Sequence, residues 1–280
     1  MKWQGRRSSA NVEDRRGTTS KTLVGGGIGT IILAIVVLLM GGNPLEYLGN
    51  QSGQVETPYV ETAEEQELAE FASVVLAETE DVWNELFSDE LGKQYQYPSL
   101  VLYSGAVQSA CGAADSSVGP FYCPGDQKVY LDLSFYTELK ERFQAPGDFA
   151  MAYVIAHEVG HHVQKQLGII DQVYSKRNRI SETEFNKLLV KMELQADYFA
   201  GVWAHYAARS NLLDEGDIEE ALHAASMIGD DRIQKDTWGY VVPDSFTHGT
   251  SEQRSSWFMK GYRYGTIAAG DTFSAPELND

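Results

Sequence analysis

Residues 149–167 read FAMAYVIAHEVGHHVQKQL, and the fold turns on how this stretch is interpreted. Tyr153, Val154, Ile155 and Ala156 form an apolar approach to His157-Glu158-Val159-Gly160-His161. The pattern predicts a helix over 148–167 with Asp148 as its N-cap. On a helix, histidines at i and i+4 project from one face about 5–6 Å apart. Both imidazoles can then reach a single zinc ion at about 2.0–2.1 Å. Glu158 stands beside the pair as a base for a zinc-bound water rather than as a ligand. Zinc lowers the pKa of that water from about 15.7 toward about 7.

The H-E-x-x-H string alone is a weak signal, and a third ligand strengthens it. Catalytic zinc sites take three protein ligands and keep one position open. A second predicted helix, 181–209, opens with Ser181 and Glu184 spaced as a capping box. It carries KMELQADYFAGVWA, with Glu193 as the candidate third ligand and Asp197 one turn on, on the same face. A carboxylate in the Asp197 position can accept a ligating histidine's free N–H and fix its tautomer. The competing interpretation is a solvated acidic face, but Met192, Leu194, Ala196, Tyr198 and Phe199 make this run too apolar for that. His162 is turned about 100° from His161 and is read as a surface or packing residue. His205 and His223 are read as structural or solvated.

Working outward, helices are expected over 63–87, 133–143, 215–228 and 251–264, with strands at 99–103 and 128–133. Cys111 and Cys123 bracket the Gly- and Ser-rich CGAADSSVGPFYC and are expected to form a disulfide. No nearby His or further Cys completes a metal site there. In SFTHGTSEQR, Thr250 or Ser251 can cap the last helix with Glu252 or Gln253 near the box position. His248, or Arg254, could reach back to the cleft and stabilise an oxyanion, and His248 is the candidate taken. The alternative is a capped loop with an exposed histidine. Residues 271–280 read as a frayed tail.

The 280 residues carry a net charge of −18, unevenly spread. Residues 1–21 hold six basic and two acidic residues, +4, which leaves 16 basic and 38 acidic residues and a net of −22 beyond them. So acidic a body argues against nucleic-acid binding, which needs Lys and Arg against phosphates. Thr22–Gly42, TLVGGGIGTIILAIVVLLMGG, has no charge across 21 positions, about the length that crosses a bilayer. With the basic cluster before it, the expectation is a single-pass inner-membrane anchor. The parts are then a cytoplasmic basic tail (1–21), a transmembrane helix (22–42), a linker (43–62) and an extracytoplasmic zinc domain (63–270), followed by the tail 271–280.

HEVGHHVQ followed by ELQADYFAGVWA resembles the bacterial neutral zinc metallopeptidase family of single-pass membrane proteins. The likeness extends through CGAADSSVGPFYCPGDQKVYLDL and GYVVPDSFTHGTSEQR. It is more distantly similar to gluzincins whose third ligand is a glutamate followed four residues later by an aspartate. The resemblance implies His157, His161 and Glu193 as ligands of Zn2+, Glu158 as base and Asp197 behind them. The expected fold is α+β, mainly α: a zincin-like metallopeptidase domain with a small β element. The expected function is a membrane-anchored endopeptidase acting on protein or peptide substrates. The rival is a non-catalytic, zinc-containing, membrane-tethered binding or scaffold domain.

Overall fold

Local chemistry sets the helix ends. The computed structural model describes residues 1–17 and 59–279. In it β1 (Val12–Asp14) is followed by α1 (Ala63–Leu91), which starts at a capping box. The Thr62 hydroxyl accepts from the Glu65 amide and the Glu65 carboxylate accepts from the Thr62 amide. After β2 (Ser99–Tyr103), β3 (Ala106–Ser109), β4 (Gly112–Asp115), β5 (Phe121–Cys123) and β6 (Lys128–Asp132), the rest is helical. These helices are α2 (Phe135–Glu141), α3 (Asp148–Gln166), α4 (Ile169–Tyr174), α5 (Glu182–Arg209), α6 (Asp217–Met227), α7 (Asp230–Trp238) and α8 (Ser251–Tyr264). The chain is mainly helical α+β with a small sheet, as expected. α5 and α8 both begin at capping boxes, Ser181 with Glu184 and Thr250 with Gln253.

The main sheet has the order β1-β2-β6-β5. β1, β2 and β6 are parallel, and β5 runs antiparallel to β6 at the edge. β2 and β6 bury nearly every residue, as parallel strands covered on both faces do. β3 and β4 form a separate hairpin. α3 is buried from Phe149 through Gln164 and packs against α1, α5, α6, β5 and β6. α5 and α8 are pressed together at two glycines. A Cβ on Gly201 would fall 2.0 Å from the Phe258 carbonyl oxygen, and one on Gly261 would fall 1.9 Å from that of Tyr198.

Three local expectations are corrected. Gly147, not Asp148, caps α3; Asp148 is its first residue, and its carboxylate accepts from the Met1 α-amino group at 3.0 Å. Residues 271–279 are not frayed, since Thr272 is fully buried with its hydroxyl donating to the Lys191 carbonyl and Leu278 packs on the core. α4, α7 and the short strands β1, β3, β4 and β5 go beyond the expected elements.

The larger correction concerns topology. Residues Met1–Arg15 belong to one compact unit with the residues from Thr62 onward. Val12, Glu13 and Asp14 pair with Leu100, Val101 and Leu102, and the Lys2 amide donates to the Leu212 carbonyl at 2.7 Å. A chain crossing a membrane once between residues 15 and 62 would put these partners on opposite sides. A cytoplasmic tail with the remaining domain across an inner membrane is therefore overturned. The basic residues read as a topology signal are ion-paired instead: Arg6 with Glu78, and Arg7 with Glu80 and Asp81. No helix among the described residues is long and apolar enough to cross a membrane. The apolar stretch 22–42 and most of the 43–62 linker lie outside those residues. The second compact unit, Arg16–Glu61, is described only at residues 16–17 and 59–61, where Arg16 donates to Glu61 at 2.7 Å.

Candidate metal centre

Gly160 governs how α3 meets α5. A Cβ there would lie 2.9 Å from the Ala196 carbonyl oxygen, so only the bare backbone lets the helices come this close. That approach brings Glu193 of α5 onto the histidine pair of α3. His157 Nε2 lies 3.2 Å and His161 Nε2 lies 3.4 Å from Glu193 Oε2. Ligand atoms around a tetrahedral zinc with bonds of about 2.0–2.1 Å stand about 3.3 Å apart. The three donors thus have the spacing of a single-metal site, and they form a group able to hold one ion.

The other side of each imidazole is also engaged. His157 Nδ1 faces Asp197 Oδ1 at 2.8 Å, and His161 Nδ1 faces Gln164 Oε1 at 2.9 Å. Both partners accept, so each Nδ1 carries a proton, and each Nε2 turned toward Glu193 is the atom that would give up its proton to bind a metal. Gln164 is fixed in turn, its amide donating to the Met192 carbonyl at 2.6 Å and to Gln195 Oε1 at 3.0 Å.

Asp197 is the hub of a buried cluster. Arg254 of α8 grips it with two donors, Nε to Oδ2 at 2.8 Å and Nη2 to Oδ1 at 3.0 Å, and Tyr153 donates to Oδ1 at 2.6 Å. Asp197 is 0% and Arg254 3% exposed. Burial alone would raise the Asp197 carboxyl, but Arg254 and then His157 push it down to about 2. Burial alone would lower His157, and Asp197 and Glu193 outweigh it, pushing the metal-free imidazole up to about 10. Glu193 is likewise held well below the carboxylate range by the two imidazoles in spite of its burial. Glu158 differs: burial pushes it above its ordinary value, with His157 and His161 opposing. A carboxylate raised in this way is a stronger base than a free one, as a group that takes up and returns a proton requires.

These groups open into a cavity of about 460 Å³. Glu158, His248 and Arg254 line it together with Phe121 and Tyr122 of β5 and the residues before them, and its apolar lining includes Phe135, Phe143, Val154, Ile228 and Ile233. His248 is half exposed at 51%, and its Nδ1 faces Asp230 Oδ1 at 3.3 Å. Its partial burial works against protonation, but Asp230 raises it from its ordinary value. Both C-terminal candidates therefore reach the cleft, and Arg254 does so while held by Asp197.

The remaining histidines stay out of the site. His205 Nδ1 faces the Tyr262 carbonyl, and His223 Nε2 faces that of Gln144. His162 is a packing residue and not a surface one, 1% exposed between Tyr122 Oη at 3.0 Å and the Gln96 carbonyl at 2.6 Å. The expected disulfide joins Cys111 and Cys123. Among the described residues a second acidic group, Asp148, Asp217 and Glu220, is compatible with a metal, but the Met1 ammonium sits against Asp148 and Asp217. Sequence reasoning did not find Tyr153, Gln164 or Asp230. Tyr153, four residues before His157, carried the one usable signal, a polar atom on the ligand face of the helix.

A family model described as "Putative neutral zinc metallopeptidase" matches residues 1–273. "Uncharacterized protein YpfJ" of Escherichia coli (strain K12) is 51% identical over 284 residues, covering 98% of this chain and 99% of the relative. "Uncharacterized protein Rv2575" of Mycobacterium tuberculosis (strain ATCC 25618 / H37Rv) is 43% identical over 195 residues, covering 66% of this chain and 65% of the relative. No solved structure matches.

Proposed function

The chain belongs to the neutral zinc metallopeptidase family, and from that premise we propose that it hydrolyses peptide bonds with His157, His161 and Glu193 holding zinc. The observation that carries this reading is the convergence of two Nε2 atoms and Glu193 Oε2 at zinc-ligand spacing, with Glu158 beside them in an open cleft. A closed structural site would need a fourth protein ligand, usually cysteine, and would have no use for a base.

A zinc ion in this site would supply Lewis-acid polarisation of the scissile carbonyl and ready deprotonation of water. The chain's own groups do the rest. Glu158 removes a proton from the attacking water and delivers it to the leaving amine, which its raised pKa favours. His248, oriented by Asp230, donates toward the oxyanion as the carbonyl carbon becomes tetrahedral. Asp197, clamped by Arg254 and Tyr153, keeps His157 in the tautomer that presents Nε2.

The substrate reading follows from the walls. Among the described residues β5 pairs with β6 alone and ends the sheet, and Phe121 and Tyr122 of it line the cleft, which suits an extended peptide added along that edge. The apolar lining residues Phe135, Phe143, Val154 and Ile228 suit an uncharged substrate side chain. Glu158→Gln tests the proposal. The variant is expected to keep one equivalent of metal and its thermal midpoint while losing about 10²- to 10⁴-fold in peptide cleavage. Wild type and variant equally inert across broad peptide libraries would favour a non-catalytic zinc domain.

A further inference from the structure

The segment that leads to the cleft wall of Val118, Gly119 and Pro120 buries few of its side chains and is tied at its near end by the Gly105 amide, which donates to Asp132 at 2.8 Å. Between Ser104 and Pro120 only Val107 and Ser109 are buried, and the turn Ser116–Val118 buries no side chain. Segments with so few buried apolar contacts open at low free energy unless something else restrains them. Two ties restrain this one at its far end. The Ala110 amide donates to Asp126 Oδ2 at 2.9 Å, and the disulfide joins Cys111, at the hairpin tip, to Cys123. Cys123 is fully buried among Val101, Tyr103, Val107 and Tyr130, so the bond ties an exposed hairpin to a fixed point. It also lies next to Tyr122, which lines the cleft and whose side chain meets His162.

We propose that the Cys111–Cys123 disulfide is a positioning element for the substrate cleft: it holds the Val118–Pro120 wall in place and so sets substrate affinity without taking part in metal binding. The affinity half of this inference rests on the peptidase reading; the positioning half does not. His157, Glu158 and His161 sit on α3, Glu193 and Asp197 on α5 and Arg254 on α8, and none of these helices includes the cross-linked loop. A loosened wall must be ordered again each time a peptide binds, which weakens binding.

The test is the full-length Cys111→Ser, Cys123→Ser double variant beside wild type, with peptides long enough to lie along β5. KM is expected to rise about tenfold, with kcat within about twofold and metal content unchanged. Hydrogen–deuterium exchange is expected to quicken over residues 104–120 and to stay slow in α3 and α5. The same exchange measurement on wild type reduced with a water-soluble phosphine reads the wall even where the double variant fails to fold. An unchanged KM, or exchange at 118–120 that does not respond to loss of the bond, overturns the proposal. If no peptide is cleaved by either protein the peptidase reading fails, and exchange alone then decides whether the disulfide positions the wall.

Discussion

Asp197 is the residue on which the site's order depends. It accepts from His157, Tyr153 and twice from Arg254 with no exposed surface. Asp197→Asn leaves the Arg254 guanidinium buried without its counter-charge, an effect of about 3–5 kcal/mol. It also removes the partner that fixes the His157 tautomer, which weakens metal affinity about 10- to 100-fold. Urea denaturation and a competitive chelator titration check the two effects separately, and an unchanged chelator midpoint would contradict the orienting role. His162 makes a different statement about pH. Burial holds it at about 4, below its ordinary 6.5, so the unfolded chain takes up the proton first as pH falls. The stability it contributes is fully present above pH 6.5 and is lost as pH falls toward 4, at up to about 1.4 kcal/mol per unit. The stability difference between wild type and His162→Gln should therefore shrink across that window. A difference that stays flat from pH 7 to 4.5 would refute this assignment.

At the scale of elements, the candidate metal site is a consequence of one helix–helix approach. Gly160 is the point where α3 meets the α5 backbone, and a methyl group 2.9 Å from the Ala196 carbonyl oxygen cannot be accommodated without moving one helix. Gly160→Ala is expected to cost about 1–3 kcal/mol, as overpacking does. It should also move Glu193 away from His157 and His161, so metal binding weakens while the ligands are all still present. Metal titration of the folded variant measures this, and wild-type affinity would show that α5 is not positioned by that contact. α8 belongs to the same assembly. Its close seat on Gly201 and its own Gly261 carries Arg254 to Asp197, 57 residues away in sequence.

Across the whole molecule, the N-terminal residues act as a strap over the body. Glu80 is 1% exposed and is satisfied almost entirely from residues 7–11, by Arg7, Ser9 and Asn11 at 2.5–3.0 Å. Deleting residues 1–15 leaves that carboxylate buried without donors and strips β1 from β2. A loss of about 3–5 kcal/mol is expected from the orphaned charge alone, and thermal unfolding reads it. A truncated chain that melts at the wild-type temperature would mean the strap is not integral. Within this frame the acidic body keeps its basic residues close to home: Lys2, Arg6, Arg7 and Arg15 all meet carboxylates of the same unit.

The amino-acid sequence by itself determined the parts whose causes are local. The i, i+4 histidines, the Glu193–Asp197 spacing, the capping box at Ser181, a cap at Thr250 or Ser251 and the paired cysteines each depend on helix geometry or short loops. Each could therefore be read from neighbouring residues. Only the tertiary structure decided that Gln164 orients His161, that Arg254 clamps Asp197, and that Asp230 holds His248. The Arg254 and Asp230 contacts join residues far apart along the chain, and the Gln164 contact, though at i, i+3 spacing, depends on a rotamer that spacing does not fix. The N-terminus shows the limit most clearly. Its arginines followed the pattern of a membrane-topology signal, and hydropathy carries no record of the buried carboxylates, such as Glu80, that they meet once α1 and β2 are in place.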